Sequence, residues 1–495
     1  MLRTICLTVV GTCCCLAVSA QNTSYTPEMK AFHDISSNEI YGFVEEMCSP
    51  QYNGRLAGSG EFMSCAVWAA GLMADWGLKP GGDNGTFFQN FQMPYTKQTG
   101  PGKLQMYGPD GRKDYKVGDD YFPGTNSKNT EAKAPVVYAG YGLTAPELGY
   151  DDYKGIDVKG KIVLIEGGVP CTDRKHKDYQ VWNDNYISST GRIANAKEHG
   201  AAGVLLVGKT SNPNIKYQDI MFCHVSEDMA NDLLKPTGND RKVLKEKINK
   251  NITPCSFDTG CQVDMATETR YNPYSQTCNV VGIIEGTDPV LKNESVILGA
   301  HLDHLGNPGV IFRGAWDNAS GSAIVLATAK ALAKSGLKPK RSIVVILFSA
   351  EECGILGSAH YVAHPVYPLD KALCMINLDM VGDGDGFSMG GIKSFPSLEK
   401  HFAAGNDKYI HRYLRTSEYR KMSPTALART DGATFNRADV PTFHTGTMGD
   451  SDKPMYYHDT RDVPESLSPE IMEDMAKFLY LGITAVSTDE SAVTR

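Results

Sequence analysis

Long apolar runs are almost missing from this 495-residue chain. The exception is the N-terminus, where Arg3 precedes an apolar stretch from Ile5 to Val18 and Val18-Ser19-Ala20 supplies small residues. That pattern predicts a signal peptide over residues 1–20, cleaved after Ala20, and an exported protein, periplasmic or extracellular. No later stretch is apolar enough to suggest a transmembrane segment. Basic charge is also scarce: 49 Lys and Arg face 57 Asp and Glu, a formal net charge of -8. This lacks the basic footprint of a nucleic-acid binder. No C-x-x-C pair occurs, which removes the usual cysteine zinc motifs. No glycine-rich phosphate cradle appears, which argues against phosphatase chemistry. Of 13 cysteines, four lie in the leader, so the remaining nine cannot all pair within the chain. In an exported protein some disulfides are expected, with Cys255 and Cys261 the nearest pair in sequence.

What is present is ordinary globular composition, 41% hydrophobic and 21% charged, in a chain long enough for two folded units. Residues 26 to about 95 read as helix, loop and helix, with Glu61 to Trp76 one helix, ended by Gly77 and Pro80. From about 100 to 270, short apolar runs are separated by Gly, Pro and Asp. Strands are expected at Pro135–Tyr138, Lys161–Ile165 and Gly203–Val207, with a short helix at Ile193–His199. From about 275 a strand-then-helix alternation begins. Val296–Leu298, Ile343–Phe348, Ala372–Leu378 and Val440–Phe443 read as strands, and Gly321–Lys334 as a helix. Continuous apolar strands suit a sheet covered on both faces. The reading is an α/β fold with a mixed, mostly parallel sheet between helices, and a smaller β-rich α/β insert. The expected boundaries are 21–98 and 273–485 for the main domain, 99–272 for the insert and 486–495 for a polar tail.

Chemistry-bearing residues collect where the strands of the second half end. Gly299-Ala300-His301-Leu302-Asp303 follows one strand, Ser349-Ala350-Glu351-Glu352 another, and Asn377-Leu378-Asp379 ends a third. Asp317 leads into the Gly321 helix, and Tyr457-His458 arrives before the last helix. In open α/β sheets, ligands sit beyond the carboxyl ends of the strands, so one rim gathers all of these. Four carboxylates in one crevice would repel one another, and divalent cations relieve that. Two histidines with carboxylates suit zinc better than magnesium. One carboxylate can bridge two metals, as in many hydrolases. Taken singly, each motif is weak: a buried histidine, a helix cap or a surface acid pair explains it as well. His304, His360, His364 and His444 are read as structural.

The stretches GAHLDHLG, AWDNASGSA, SAEECGILGS, NLDMVG and YYHDTRD together resemble the co-catalytic zinc exopeptidases, the family of bacterial leucyl aminopeptidases and glutamate carboxypeptidase. Arg55-Leu56-Ala57-Gly58-Ser59 matches the family's N-terminal approach. The runs VVYAGYGL, KGKIVLIEGG and GAAGVLLVGK resemble a protease-associated (PA) domain. The resemblance implies two zinc ions per chain. It gives His301 and Asp379 to one, Glu352 and His458 to the other, and Asp317 to both. Glu351 would be the general base acting on a zinc-bridging water. Asp303 would orient the His301 imidazole, and Tyr457 would steady the oxyanion. A cis peptide is expected at Asp317–Asn318.

Three outcomes share that ligand set. An aminopeptidase acting on peptide N-termini is the first reading, since crevice acids can bind a free α-amine. A carboxypeptidase needs cations for the terminal carboxylate, with Arg313, Arg429, Arg437 and Lys453 as candidates. A glutaminyl cyclase usually has one zinc and no PA domain. A non-catalytic binding protein would have lost ligands, and none is missing. The sequence carries no mark of an oligomeric state.

Overall fold

The computed structural model describes residues 25–208, 217–424, 426–451 and 453–493. The expected leader at residues 1–20 lies outside the described residues. No helix among them is long and apolar enough to cross a membrane.

Two large sheets organise the chain. The first has nine strands, and its centre is four parallel strands in the order Ser342–Phe348, Ser295–His301, Ala372–Leu378 and Thr442–Met448. Antiparallel neighbours flank this core: Thr269–Ile284 on one side and Gly386–Gly391 on the other. Every residue of the three innermost apolar strands is buried. Their alternation explains why. Val296, Leu298 and Ala300 pack into the larger core beneath the helices Ser37–Met47, Gly60–Trp76, Ser320–Lys334 and Pro469–Thr488. Ile297, Val344 and Ile346 point the other way, against Tyr361 and Phe435 of Leu356–Ala363 and Gly432–Arg437. Burial on both faces is what a continuous apolar strand requires.

Local signals set the helix ends. Ser59 caps Gly60–Trp76 by accepting from the Phe62 N–H at 3.0 Å, and Gly77 closes it in the left-handed region at φ 87°. The helix Ser320–Lys334 carries twelve buried residues, mostly Ala, Leu, Ile, Val and Ser, so it sits inside the layer rather than on it.

The second sheet is the insert. Its eight strands run from Gly111–Asp114 to Tyr121–Pro123, with parallel pairing among Thr130–Ala139, Ile162–Glu166, Gly203–Val207 and Met221–Val225. A long antiparallel pair, Phe88–Gln98 with Thr269–Ile284, joins the first sheet at the two chain crossings into and out of the insert. The sequence reading made residues up to about 95 helical and loop, so this pair corrects it. The expectation of some disulfides is also corrected: Cys255 and Cys261, the nearest pair in sequence, are not joined. All nine cysteines among the described residues are free thiols, eight of them buried, where burial raises the pKa of those that shift.

Candidate active site

The carboxyl ends of the parallel strands carry the cluster. His301 is the last residue of its strand, and Asp379 follows the last residue of its own. Glu351 and Glu352 lie in the turn after Phe348, in which Gly354 N–H bonds the Glu351 carbonyl at 2.9 Å. Asp317 lies in the irregular segment Ala315–Ala319 that enters the buried helix, and its peptide to Asn318 is cis.

That segment is tied down by named bonds. Asp462 accepts from the Trp316 N–H at 2.7 Å and the Asp317 N–H at 3.2 Å. Asn318 donates to the Leu378 carbonyl at 3.0 Å and accepts from the Gly321 N–H at 3.0 Å. Ser322 holds the His301 carbonyl at 2.7 Å. Arg55, fully buried, reaches four carbonyls: Leu302 at 2.8 Å, Met47 at 2.8 Å, Arg313 at 2.7 Å and Gly314 at 2.8 Å. It thus locks the loop after His301 to the loop before Asp317.

The side chains form two triads that share one residue. His301 Nε2 lies 3.3 Å from Asp317 Oδ1 and 3.3 Å from Asp379 Oδ1. His458 Nε2 lies 3.2 Å from Asp317 Oδ2 and 3.2 Å from Glu352 Oε2. The two oxygens of Asp317 therefore face different histidines. Tetrahedral zinc bonds of about 2.0 Å to nitrogen and oxygen place neighbouring donor atoms about 3.3 Å apart. The observed spacings match that. His458 Nε2 is buried and finds no hydrogen-bond partner of proper geometry, as a nitrogen facing a cation would.

Charge balance points the same way. Asp303, Asp317, Glu351, Glu352, Asp431 and Asp462 are all buried, and Asp379 nearly so. Among the described residues Asp303, Asp317, Glu351, Asp379, Asp431 and Asp462 form no salt bridge with a lysine or arginine. Burial is the leading cause that pushes Glu351 up, with Asp431, Glu352 and Asp379 adding repulsion against the attraction of His301. Burial likewise carries Asp303 and Asp431 to about 7. Burial works against the charged form of His458, but Glu352 and Asp317 outweigh it and raise its pKa to about 10. A buried excess of this size calls for cationic compensation, and divalent cations at the two triads would supply it.

All eight sequence-derived site residues gather here, with two differences of detail. The His301 Nδ1 meets the backbone carbonyl of Asp303 at 3.1 Å, whereas the nearest Asp303 carboxylate oxygen is 3.8 Å away. That carboxylate instead accepts from the Glu351 and Glu352 N–H groups at 3.1 and 3.3 Å. Tyr457 is half exposed, its ring stacked 3.8 Å from that of His458. Three further side chains belong to the cluster: His304, whose Nδ1 lies 2.9 Å from Glu352 Oε1, Asp431 and Asp462. His304 and Asp462 stand inside the motifs GAHLDHLG and YYHDTRD, and that adjacency was the available signal. His360 stacks on Phe91 and packs against His364. Of the candidate cations, Lys453 donates to the Glu465 and Leu467 carbonyls, and Arg437 to that of Ala426.

Comparison with known proteins agrees with this layout. Residues 279–481 match the model of Peptidase family M28 and residues 132–233 that of the PA domain. A probable glutamate carboxypeptidase of Arthroderma benhamiae is 30% identical over 213 residues, 40% of this chain and 28% of that protein. Aminopeptidase YwaD of Bacillus subtilis is 28% identical over 343 residues, 67% of this chain and 64% of the relative. The chain spans about a third of the length of the first curated relatives it matches, between 28% and 36%. Among solved structures, a Peptidase M28 precursor of Shewanella amazonensis superposes with a TM-score of 0.65 at 19% identity, covering 94% of this chain and 97% of that one. An aminopeptidase of Aneurinibacillus sp. strain AM-1 gives 0.62 at 19% identity, over 94% and 98%. These likenesses show a shared fold. With these matches, residues 279–481 form a Peptidase family M28 domain that carries the cluster, and residues 132–233 a PA domain ahead of it.

Proposed function

We propose that this protein is an exported, zinc-dependent aminopeptidase that removes residues from the N-termini of peptides. The observation that carries the proposal is the pair of triads sharing Asp317, beside Glu351, which belongs to neither. His301, Asp379 and Asp317 would hold one zinc, and His458, Glu352 and Asp317 the second. When bound, zinc lowers the pKa of water and polarises a carbonyl. Residues 21–98 and 273–485 form the peptidase domain in this reading, with 99–272 the insert, and the apolar segment ending at Ala20 supports export.

The chain's own groups then have distinct tasks. Glu351 accepts the proton of the attacking water and returns it to the leaving amine. Its position one residue from Glu352 keeps it at the site without spending it on the same triad. Asp303 fixes both glutamates through their backbone N–H groups, so the base and the ligand keep a constant offset. The Tyr457 hydroxyl, half exposed beside His458, donates to the oxygen that gains charge as the carbonyl is attacked. The acid-rich, cation-poor cleft favours a free α-amine over a terminal carboxylate, which supports the aminopeptidase over the carboxypeptidase.

Purified protein and a panel of free and N-acetylated short peptides, with and without a zinc chelator, test this by liquid chromatography and mass spectrometry. The expected result is chelator-sensitive loss of residues from free N-termini only. Loss from C-termini would move the protein to the carboxypeptidase reading, and cyclisation of N-terminal glutamine to the cyclase.

A further inference from the structure

The geometry assigns His304 as a positioning residue for Glu352, acting on one of the two zinc sites and not the other. The inference rests on the zinc reading above. His304 is fully buried, and its Nδ1 lies 2.9 Å from Glu352 Oε1. The other oxygen of that carboxylate, Oε2, faces His458 Nε2 at 3.2 Å. The two oxygens thus divide their work, one toward the triad and one toward His304. An ionised carboxylate accepts only, so His304 Nδ1 carries the proton and donates it. Its Nε2 is buried and has no hydrogen-bond partner among the described residues, and a ring nitrogen lies within 4.8 Å of an Asp317 carboxylate oxygen as well as of Glu352. A histidine kept only for packing would have no need of a nitrogen facing a carboxylate there.

The ring is held in place by its backbone and by one glycine. The His304 N–H donates to the Arg55 carbonyl at 3.1 Å. Gly314 lies against the ring with φ +58°, and a Cβ there would fall 2.4 Å from His304 Cγ and Cδ2. The ring therefore fills the space a side chain at 314 would take, and it cannot turn away without opening a void. Held this way, Glu352 is confined to one oxygen toward the triad. Hydrogen bonds of this kind to a ligating carboxylate raise metal affinity by about 10–100-fold. Among the described residues, Asp379, the carboxylate of the other triad, has no such bond beyond its contact with His301.

The test is zinc binding to purified protein in chelator-buffered zinc, read as metal per chain by mass spectrometry. Wild type is expected to load in two steps, and Asp379→Asn marks the step that belongs to the His301 side. His304→Leu should weaken the other step by about 10–100-fold and leave the marked one in place. His304→Asn, whose amide nitrogen can stand where Nδ1 does, should recover most of that loss, and His304→Gln, which reaches to the Nε2 position, should not. The Asn and Gln pair decides the matter if the Leu variant fails to fold. Unchanged binding in His304→Leu, or equal weakening of both steps with no difference between Asn and Gln, overturns the assignment while leaving the two-zinc reading intact. Wild type that binds no zinc overturns that reading and this inference with it.

Discussion

Replacing Arg55 with Met should destabilise the peptidase domain severely, although Arg55 touches neither triad. The guanidinium is fully buried and donates to the carbonyls of Leu302, Met47, Arg313 and Gly314, all at 2.7–2.8 Å. Hydrogen bonds from a charged group contribute about 1.5–3 kcal/mol each, so four give a gross of about 6–12 kcal/mol. Burying the guanidinium without a carboxylate costs several kcal/mol, which the Met variant no longer bears. The variant instead leaves buried carbonyls without donors. The net loss is about 3–5 kcal/mol. Urea unfolding followed by tryptophan fluorescence reads it, with Trp68, Trp76 and Trp316 in the peptidase domain as reporters. The loops on either side of Asp317 and His301 lose their common tie, so zinc should also leave more readily. A variant within about 1 kcal/mol of wild type would refute the role given to these four bonds.

Other expectations follow from the same geometry. Glu351→Gln should lower kcat by about 10²–10⁴-fold, the usual share of a general base, while both zincs stay bound; steady-state assays beside metal analysis check it. The zinc-free protein should lose stability as pH rises from about 4 to about 7, whereas the zinc-loaded protein should not. Asp303 and Asp431 at about 7 and Asp462 at about 6 are raised chiefly by burial. An acid whose folded pKa exceeds its unfolded one binds more protons when folded, so its burden appears as pH climbs through that window. Thermal melts of both forms across this range are the measurement, and parallel curves would count against it. In the insert, Glu166 is fully buried and pairs with Arg241 at 2.9 Å, with Lys245 at 3.7 Å. Arg241→Ala should therefore cost about 3–5 kcal/mol by stranding a buried carboxylate. Limited proteolysis should then cut the insert first.

The sequence displayed the central sheet clearly because its strands are buried on both faces. Val296–Leu298 and Ile343–Phe348 are unbroken apolar runs, Ala372–Leu378 is interrupted only by Asn377, and the structure extends the first to Ser295–His301. The long pair Phe88–Gln98 and Thr269–Ile284 escaped notice for a physical reason. Its core-facing positions include Gln89, and the first half of Thr269–Ile284 is largely exposed. Gly386–Gly391 and Leu414–Glu418 were hidden likewise, one by glycines and the other by a polar edge. Within the site, His301, Glu352 and Asp379 could be gathered because strand ends concentrate ligands, whereas Asp317 and His458 lie on connections, and the role of each came from the family resemblance. Which oxygen faces which nitrogen could not. The Asp303 carboxylate turning to two backbone N–H groups, and His304 turning to Glu352, depend on the fold of the turn after Phe348.

The central claim is that Asp317 joins two zinc sites, and zinc stoichiometry tests it most directly. Purified wild-type protein, dialysed in chelator-buffered zinc, should hold two zincs per chain. Asp317→Ala should hold none or nearly none, because it removes a ligand from both triads at once. Retention of both zincs by Asp317→Ala, or a single zinc in wild type, would contradict the account.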